Sequence, residues 1–379
     1  MQYRNFGRLD WKVSALGFGC MRLPTVDGER TSPIAEDEAK KMLRDAIDSG
    51  VNYVDTAYVY HEGLSEAFVG RALADGYRDK VKLATKLPLW LVNGPEDFDR
   101  LLNEQLGRLQ TDHIDFYLFH ALDKGRWRDI VLKHDLLTKA KAAQADGRIR
   151  HIGFSMHDDY ACLEEIVNGS DLWDFCQIQY NYMDIENQAG TRGLKLAASK
   201  GLAVVIMEPL LGGRLATPPK DICAAMEEMV PGRSPAEWAF QWIWDQPGVS
   251  VVLSGMSTPT QVEENLRSAS ASAIGSFSSE EQALIARARE MYLVRTVIPC
   301  TKCGYCMPCP AGVNIPGAFE LYNYAHLFEN IGDAKFRYQI FLPEVQKASN
   351  CVACGACEEV CPQSIAISEW MPKVTELLA

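Results

Sequence analysis

No uninterrupted apolar run in the chain reaches the ~18 residues that a membrane span requires. The opening residues, MQYRNFGRLD, lack the apolar core of a secretory signal, so a cytoplasmic location is expected. Positive charge is scarce: 38 Lys and Arg stand against 50 Asp and Glu, a formal net charge of −12. That balance argues against nucleic acid or an anionic membrane as a general partner. A G-x-G-x-x-G fingerprint behind a strand is also missing. Gly17 and Gly19 are followed by Arg22 where the third glycine would stand, so a Rossmann site is not expected.

What remains is an ordinary globular composition, 47% hydrophobic over 379 residues, enough for one large core and a second unit. The cysteines are uneven. Cys20, Cys162, Cys176 and Cys223 are scattered and read as small core hydrophobes. The other eight lie between Cys300 and Cys361 in two tight groups. Without a secretory signal, such grouping points to metal ligation in a reducing compartment rather than to disulfides.

From about residue 12 to 270 short apolar runs alternate with helical patterns. The runs are VSALGFG, VNYVD, VKLATK, HIDFYLFH, IRHIGFS, DFCQIQ, LAVVIME and VSVVLSG. Eight strands in alternation with helices predict a closed parallel (β/α)8 TIM barrel, with an open doubly wound sheet as the alternative. Residues 2–12 read as a hairpin capping the bottom. Residues 278–292 read as one more helix, with a serine start and an acidic first turn. Beyond it the composition turns to cysteine, proline and aromatics. The expected domains are therefore 1–292 and 293–379.

Within the barrel, the stretch YVDTAYVYHEGLSE draws attention. An apolar run stops on Asp55 and opens into a loop carrying Tyr58 and Tyr60. A strand end followed by a surface turn would explain it, but more polar groups follow at later strand ends: Lys86, His120, Ser155 and Gln177. Working groups of such barrels sit at the carboxyl ends of the strands, so these side chains converge. As a set they suit carbonyl reduction. A hydride added to carbonyl carbon needs a proton on oxygen, and a phenol of pKa about 10 gives one up reluctantly. An adjacent ammonium stabilises the phenolate, a carboxylate orients the ammonium, and a neutral imidazole polarises the carbonyl. Tyr58 and Tyr60 both remain candidates for the acid. Trp90, Leu122 and Trp127 either line the pocket or pack its loops.

Residues 1–275 resemble the aldo-keto reductase family. The resemblance rests on DTAxxY at Asp55 to Tyr60, the lysine of LATK, the histidine of FYLFH, the segment GRIRHIGFS, and EEN at Glu263 to Asn265. It implies a tetrad of Asp55, Tyr60, Lys86 and His120, with Tyr60 preferred over Tyr58. It also implies NADP or NAD at the barrel mouth, the carboxamide near Ser155 and Gln177, and the adenine end near Ser254 to Asn265, Glu264 included. Three departures from the family stand at four positions. Met207 replaces an aromatic residue that stacks on the nicotinamide, Met156 replaces an asparagine after Ser155, and Gly255 and Gln261 replace basic residues that grip a 2′-phosphate.

The tail carries CTKCGYCMPCP from Cys300 and CVACGACEEVCP from Cys351. The second fits C-x2-C-x2-C-x3-C-P throughout, the bacterial iron–sulfur run; zinc is the alternative. The tail resembles dicluster ferredoxins. That implies two [4Fe-4S] clusters in a crossed pattern, Cys300, Cys303, Cys306 and Cys361 on one, Cys351, Cys354, Cys357 and Cys309 on the other. Cys306 and Cys309 stand one residue closer than the run requires. The aromatic-rich stretches 317–331 and 335–345 read as helices packing around the clusters.

The expected function is an oxidoreductase interconverting a small carbonyl or alcohol substrate, with clusters linking it to a redox partner protein. Hydride chemistry moves two electrons and each cluster one, so direct coupling normally calls for a flavin, for which no signature is present. The alternatives are an electron carrier or redox sensor with a non-reductase barrel, or a reductase whose clusters are structural.

Overall fold

The computed structural model describes residues 1–28, 32–300, 302, 304–361 and 363–379. It divides into two compact units: residues 1–216 with 233–280, and residues 217–232 with 281–379.

In the first unit a hairpin of β1 (Tyr3–Phe6) and β2 (Leu9–Ser14) precedes the barrel. Eight parallel strands follow: β3 (Leu16–Gly19), β4 (Tyr53–Asp55), β5 (Lys82–Leu87), β6 (Ile114–Leu122), β7 (Ile149–Met156), β8 (Phe175–Gln179), β9 (Ala203–Met207) and β10 (Val251–Ser254). They close in that order, with β10 beside β3. Closure excludes the open-sheet alternative. Helices α1 (Glu36–Asp48), α2 (Ser65–Ala72) and α3 (Glu96–Leu109) lie among the connections between the first strands.

The period of two along each strand sorts residues into two layers. Tyr53, Ala84, Phe116, Leu118, Phe175, Val205 and Leu253 fill the inside. Leu83, Tyr117, Phe119, Phe154 and Val252 pack outward with the helices. Phe6 of the hairpin plugs the floor, 4.6 Å from the Phe116 ring. Gly7 makes this plug fit: its φ is +55°, and a Cβ there would sit 2.4 Å from the Ala203 amide nitrogen. Gly17 faces inward too, where a Cβ would meet the Leu253 side chain at 2.8 Å. Gly17, one of the two glycines that fail as a nucleotide fingerprint, thus belongs to barrel packing.

The second unit is helical. Ile315–Leu327, Ile331–Phe341 and Ile367–Leu378 surround a core containing Phe319, Tyr338, Met371 and Val374. The helix Lys220–Met229 belongs to this unit, and Arg295 reaches back to its Asp221 at 2.7 Å. The helix Ser279–Leu293, read from sequence as the last of the barrel domain, packs from residue 281 onward with this unit. Among the described residues, no helix is long and apolar enough to cross a membrane.

Candidate active site

The inward positions of the strands, followed to their carboxyl ends, are Asp55 on β4, Lys86 on β5, His120 on β6, Ser155 on β7, Gln177 on β8 and Met207 on β9. The apolar interior below gives way to polar groups above. Lys86 and Asp55 are 1% and 2% exposed. Lys86 Nζ donates to Asp55 Oδ1 at 2.7 Å, to the Thr56 carbonyl at 2.8 Å, and to the Tyr60 hydroxyl at 3.4 Å. Burial opposes the ammonium, yet Asp55 and Tyr60 outweigh it and hold Lys86 above its ordinary value. For Tyr60 the largest influence is burial, which raises the phenol; Lys86 pulls the other way.

The loop after β4 turns sharply, with His61 at φ +50° and Glu62 at φ +56°, and His61 Nε2 accepts the Leu23 amide at 3.2 Å. This folds Tyr60 over the lysine. Tyr58 goes elsewhere: its hydroxyl donates to Glu104 Oε1 at 3.1 Å, and Arg108 covers its ring at 4.1 Å. The residues alone leave both phenols open and the family resemblance favours Tyr60, whose hydroxyl is the one within 3.4 Å of Lys86 Nζ. His120 presents its ring edge-on to Tyr60, centroids 6.4 Å apart, and Trp90 packs on its other side at 5.1 Å. Burial, then the charges of Lys86, His157 and Arg126, hold the imidazole well below its ordinary value, so it is neutral. Trp90 is 41% exposed beside the imidazole, whereas Leu122 and Trp127 are core residues.

The remaining candidates divide. Ser155 Oγ accepts the Ala121 amide at 2.8 Å. Gln177 Nε2 lies 3.8 Å from Met207 Sδ, and Gln177 Oε1 is buried with no hydrogen-bond partner. Met156 is buried in the core. Ser254, opposite in parity to Leu253, points toward the helix Pro259–Ser270, where its Oγ accepts Asn265 Nδ2 at 3.0 Å. Gln261 Oε1 accepts the Ser257 amide at 2.8 Å, and Glu264 is exposed. A Cβ on Gly255 would lie 3.2–3.3 Å from the methylenes of Arg22.

Sequence reasoning missed a polar set behind Lys86: Glu66, Thr85, Gln105 and Tyr117, all buried. One signal was available. Gln105 interrupts the apolar face of α3, formed by Phe98, Leu101, Leu102 and Leu109.

In the second unit Cys300, Cys306 and Cys361 line one hollow together with Ile315, Phe319 and Ile367. Cys303 lies outside the described residues. Burial pushes the Cys357 thiol up to about 11, with Glu358, Cys309 and Cys351 adding to the effect. Cys309 and Cys351 thus lie near enough to act on the Cys357 thiol, whereas Cys354 is exposed. Among the described residues, no three His, Cys, Asp or Glu are drawn together as a preformed metal cage. Of the scattered cysteines, Cys20, Cys162 and Cys176 are buried as expected. Cys223 is a correction: it is half-buried at the start of the helix Lys220–Met229, its thiol 3.4 Å from the Pro218 carbonyl.

Comparison with known proteins agrees with both halves. Residues 299–366 match the 4Fe-4S dicluster domain and include all eight clustered cysteines. The uncharacterized oxidoreductase YqkF of Bacillus subtilis is 28% identical over 301 residues, 72% of this chain and 92% of that protein. L-galactose dehydrogenase of Arabidopsis thaliana is 28% identical over 291 residues, 70% and 87% respectively. Among solved structures, the holo form of aldo-keto reductase AKR11C1 from Bacillus halodurans superposes with TM-score 0.62 at 27% identity, covering 76% of this chain and 96% of that one. With residues 15–290 matching the aldo/keto reductase family, the chain belongs to that family of oxidoreductases and carries a 4Fe-4S dicluster domain C-terminal to its barrel.

Proposed function

We propose that the barrel interconverts a carbonyl and an alcohol with a nicotinamide cofactor, Tyr60 serving as the acid, and that the tail holds two [4Fe-4S] clusters. The observation that carries the reading is the chain of contacts from Asp55 through Lys86 to the Tyr60 hydroxyl, next to a neutral His120. A nicotinamide bound at the mouth supplies or accepts the hydride. The orphaned Gln177 Oε1 fits such a group, since an amide N–H would satisfy a buried acceptor that otherwise costs free energy. Ser155, already accepting from Ala121, keeps its own hydroxyl hydrogen to donate.

The chain's own residues then handle the proton. His120 donates to the carbonyl oxygen and orients it. The Tyr60 phenol, protonated at neutral pH like any phenol of pKa about 10 and held so more firmly by burial, gives its proton to that oxygen as negative charge develops. Lys86 stabilises the phenolate left behind, and Asp55 fixes Lys86. In the reverse direction the same phenolate takes the alcohol proton.

The thiols fit iron–sulfur ligation. Soft thiolates suit iron–sulfur chemistry, and the grouping of Cys300, Cys306 and Cys361 apart from Cys309, Cys351 and Cys357 follows the crossed pattern. Cys303 and Cys354 complete the two sets. Clusters held by these thiolates would carry single electrons to or from a redox partner protein.

Anaerobic purification, iron and sulfide analysis, and titration with NADH and NADPH on one sample test both halves. About eight irons per chain and saturable binding of at least one nucleotide are expected. Failure to bind either nucleotide would favour an electron carrier.

A further inference from the structure

The stretch that opens the site ends on Glu66, which none of the chemistry above uses. Its carboxylate is wholly buried on α2. Oε1 accepts from Thr85 Oγ1 at 2.6 Å and from Gln105 Nε2 at 2.6 Å, while Arg108 Nη1 stands 3.4 Å from Oε2. Gln105 Nε2 also donates to the Lys86 carbonyl at 3.0 Å, and its Oε1 accepts the Tyr117 hydroxyl at 2.7 Å. Arg108 continues outward to Glu104, the acceptor of Tyr58, two residues before Tyr60.

One network therefore joins α2, α3, β5, β6 and the loop that carries the phenol. Its cost needs a reason. A buried carboxylate is expensive to desolvate, and apolar side chains of similar volume would fill the space at lower cost. Packing alone does not call for it. What the network holds is the backbone of Lys86 itself, on the strand face opposite to its side chain. The contact it controls is the loose one: Lys86 Nζ sits at 2.7 Å from Asp55 but 3.4 Å from the Tyr60 hydroxyl. A shift of a few tenths of an ångström there changes how strongly the ammonium stabilises the phenolate.

We propose that Gln105, anchored by Glu66, is a positioning residue that sets the separation of Lys86 from Tyr60 and thereby the acidity of the phenol. The catalytic consequence rests on Tyr60 being the acid, as proposed above. The groups facing that phenol are Lys86 from β5, Asp55 from β4, Cys20 after β3 and His120 from β6.

The test uses the full cluster-containing chain. Tyr60 ionisation is followed as the tyrosinate absorbance that Tyr60→Phe removes, and kcat and KM are measured with a small aldehyde. Gln105→Leu is expected to raise the Tyr60 midpoint by about one pH unit and to lower kcat about tenfold, with KM within about twofold. Glu66→Gln, which keeps the oxygen that Thr85 and Gln105 share, is expected to stay within about threefold of wild type on every readout. If Gln105→Leu does not fold, Gln105→Met, closer in length, reads the same shift. A folded Gln105 variant whose Tyr60 midpoint is unmoved overturns the proposal. Absence of turnover in the wild type would instead sink the reductase reading, and the phenol titration would still decide the role of Gln105 independently.

Discussion

Replacing Lys86 with Met removes the ammonium and keeps most of its volume, which isolates the electrostatic role of the buried pair. Asp55 would be left 2% exposed, without its partner at 2.7 Å. Deleting one member of a buried pair costs about 3–5 kcal/mol. Protonation limits that loss. Neutralising a carboxyl of ordinary pKa 3.9 costs about 4 kcal/mol at pH 7 and about 1.5 kcal/mol at pH 5. Burial already pushes Asp55 upward against the pull of Lys86, so without the ammonium the folded state holds a proton that the unfolded chain releases above about pH 4. Folding then takes up a proton, and stability falls as pH rises. Relative to wild type, Lys86→Met is expected to lose about 4 kcal/mol at pH 7, with about 1.4 kcal/mol regained per unit down to pH 5. Adding Asp55→Asn should remove the slope. Urea unfolding followed by tryptophan fluorescence at pH 5, 6 and 7 measures this, since every tryptophan except Trp370 lies in the first unit. A loss below about 1 kcal/mol with no pH dependence would refute the reasoning, because it would mean that Asp55 and Lys86 are not coupled in a desolvated site.

Other expectations follow from the same geometry. Tyr60→Phe should lower kcat by about 10²- to 10⁴-fold, whereas Tyr58→Phe, whose hydroxyl is committed to Glu104, should stay within a few-fold in steady-state assays. Gln177→Leu should raise KM for the nicotinamide about fivefold and leave kcat within a few-fold, one lost hydrogen bond being worth about 1 kcal/mol. Asp115, 1% exposed, is desolvated by burial, but Arg78, the Leu83 amide and Lys82 outweigh this and hold its carboxyl below the ordinary range. Its contribution is present above the unfolded carboxylate pKa and is lost as pH falls through the depressed folded value. Asp115→Asn should therefore cost about 1–3 kcal/mol at pH 7 in urea unfolding, a penalty that shrinks in acid. Cys306→Ser and Cys357→Ser should each reduce iron from about eight to about four per chain, because in the proposed crossed pattern each removes a ligand from a different cluster.

Much of this architecture is legible in the residues. The eight strands announce themselves because each is buried on both faces and so reads as a near-continuous apolar run. Asp55, Lys86 and His120 are legible for a related reason: each is a polar residue on the inward parity of a strand, at the end where the interior opens. The network behind Lys86 was not, since Glu66, Thr85 and Gln105 meet across 19–39 residues of chain and no local period links them. Tyr60 is favoured over Tyr58 only through the family resemblance, because the turn that sends the two side chains apart has two left-handed residues, His61 and Glu62, neither of them glycine, and so leaves no ordinary signature. Ser254 and Asn265 illustrate the converse. Their types suit ligand contact, but parity turns Ser254 outward to Asn265, where the two satisfy each other. The packing of the helix Ser279–Leu293 with the second unit was hidden as well, because its amphipathic pattern shows that it has a buried side but not what it is buried against.

The central claim is that the phenol, ammonium, carboxylate and imidazole at the barrel mouth serve hydride transfer to a carbonyl. Its most direct test is a single turnover with deuterium on the transferable position of NADH or NADPH, a small aldehyde, and mass analysis of the alcohol. The account predicts one deuterium on the carbinol carbon with wild type, and the same label appearing about 10²- to 10⁴-fold more slowly with Tyr60→Phe. A folded, iron-replete wild-type protein that transfers no label from either nucleotide would contradict it.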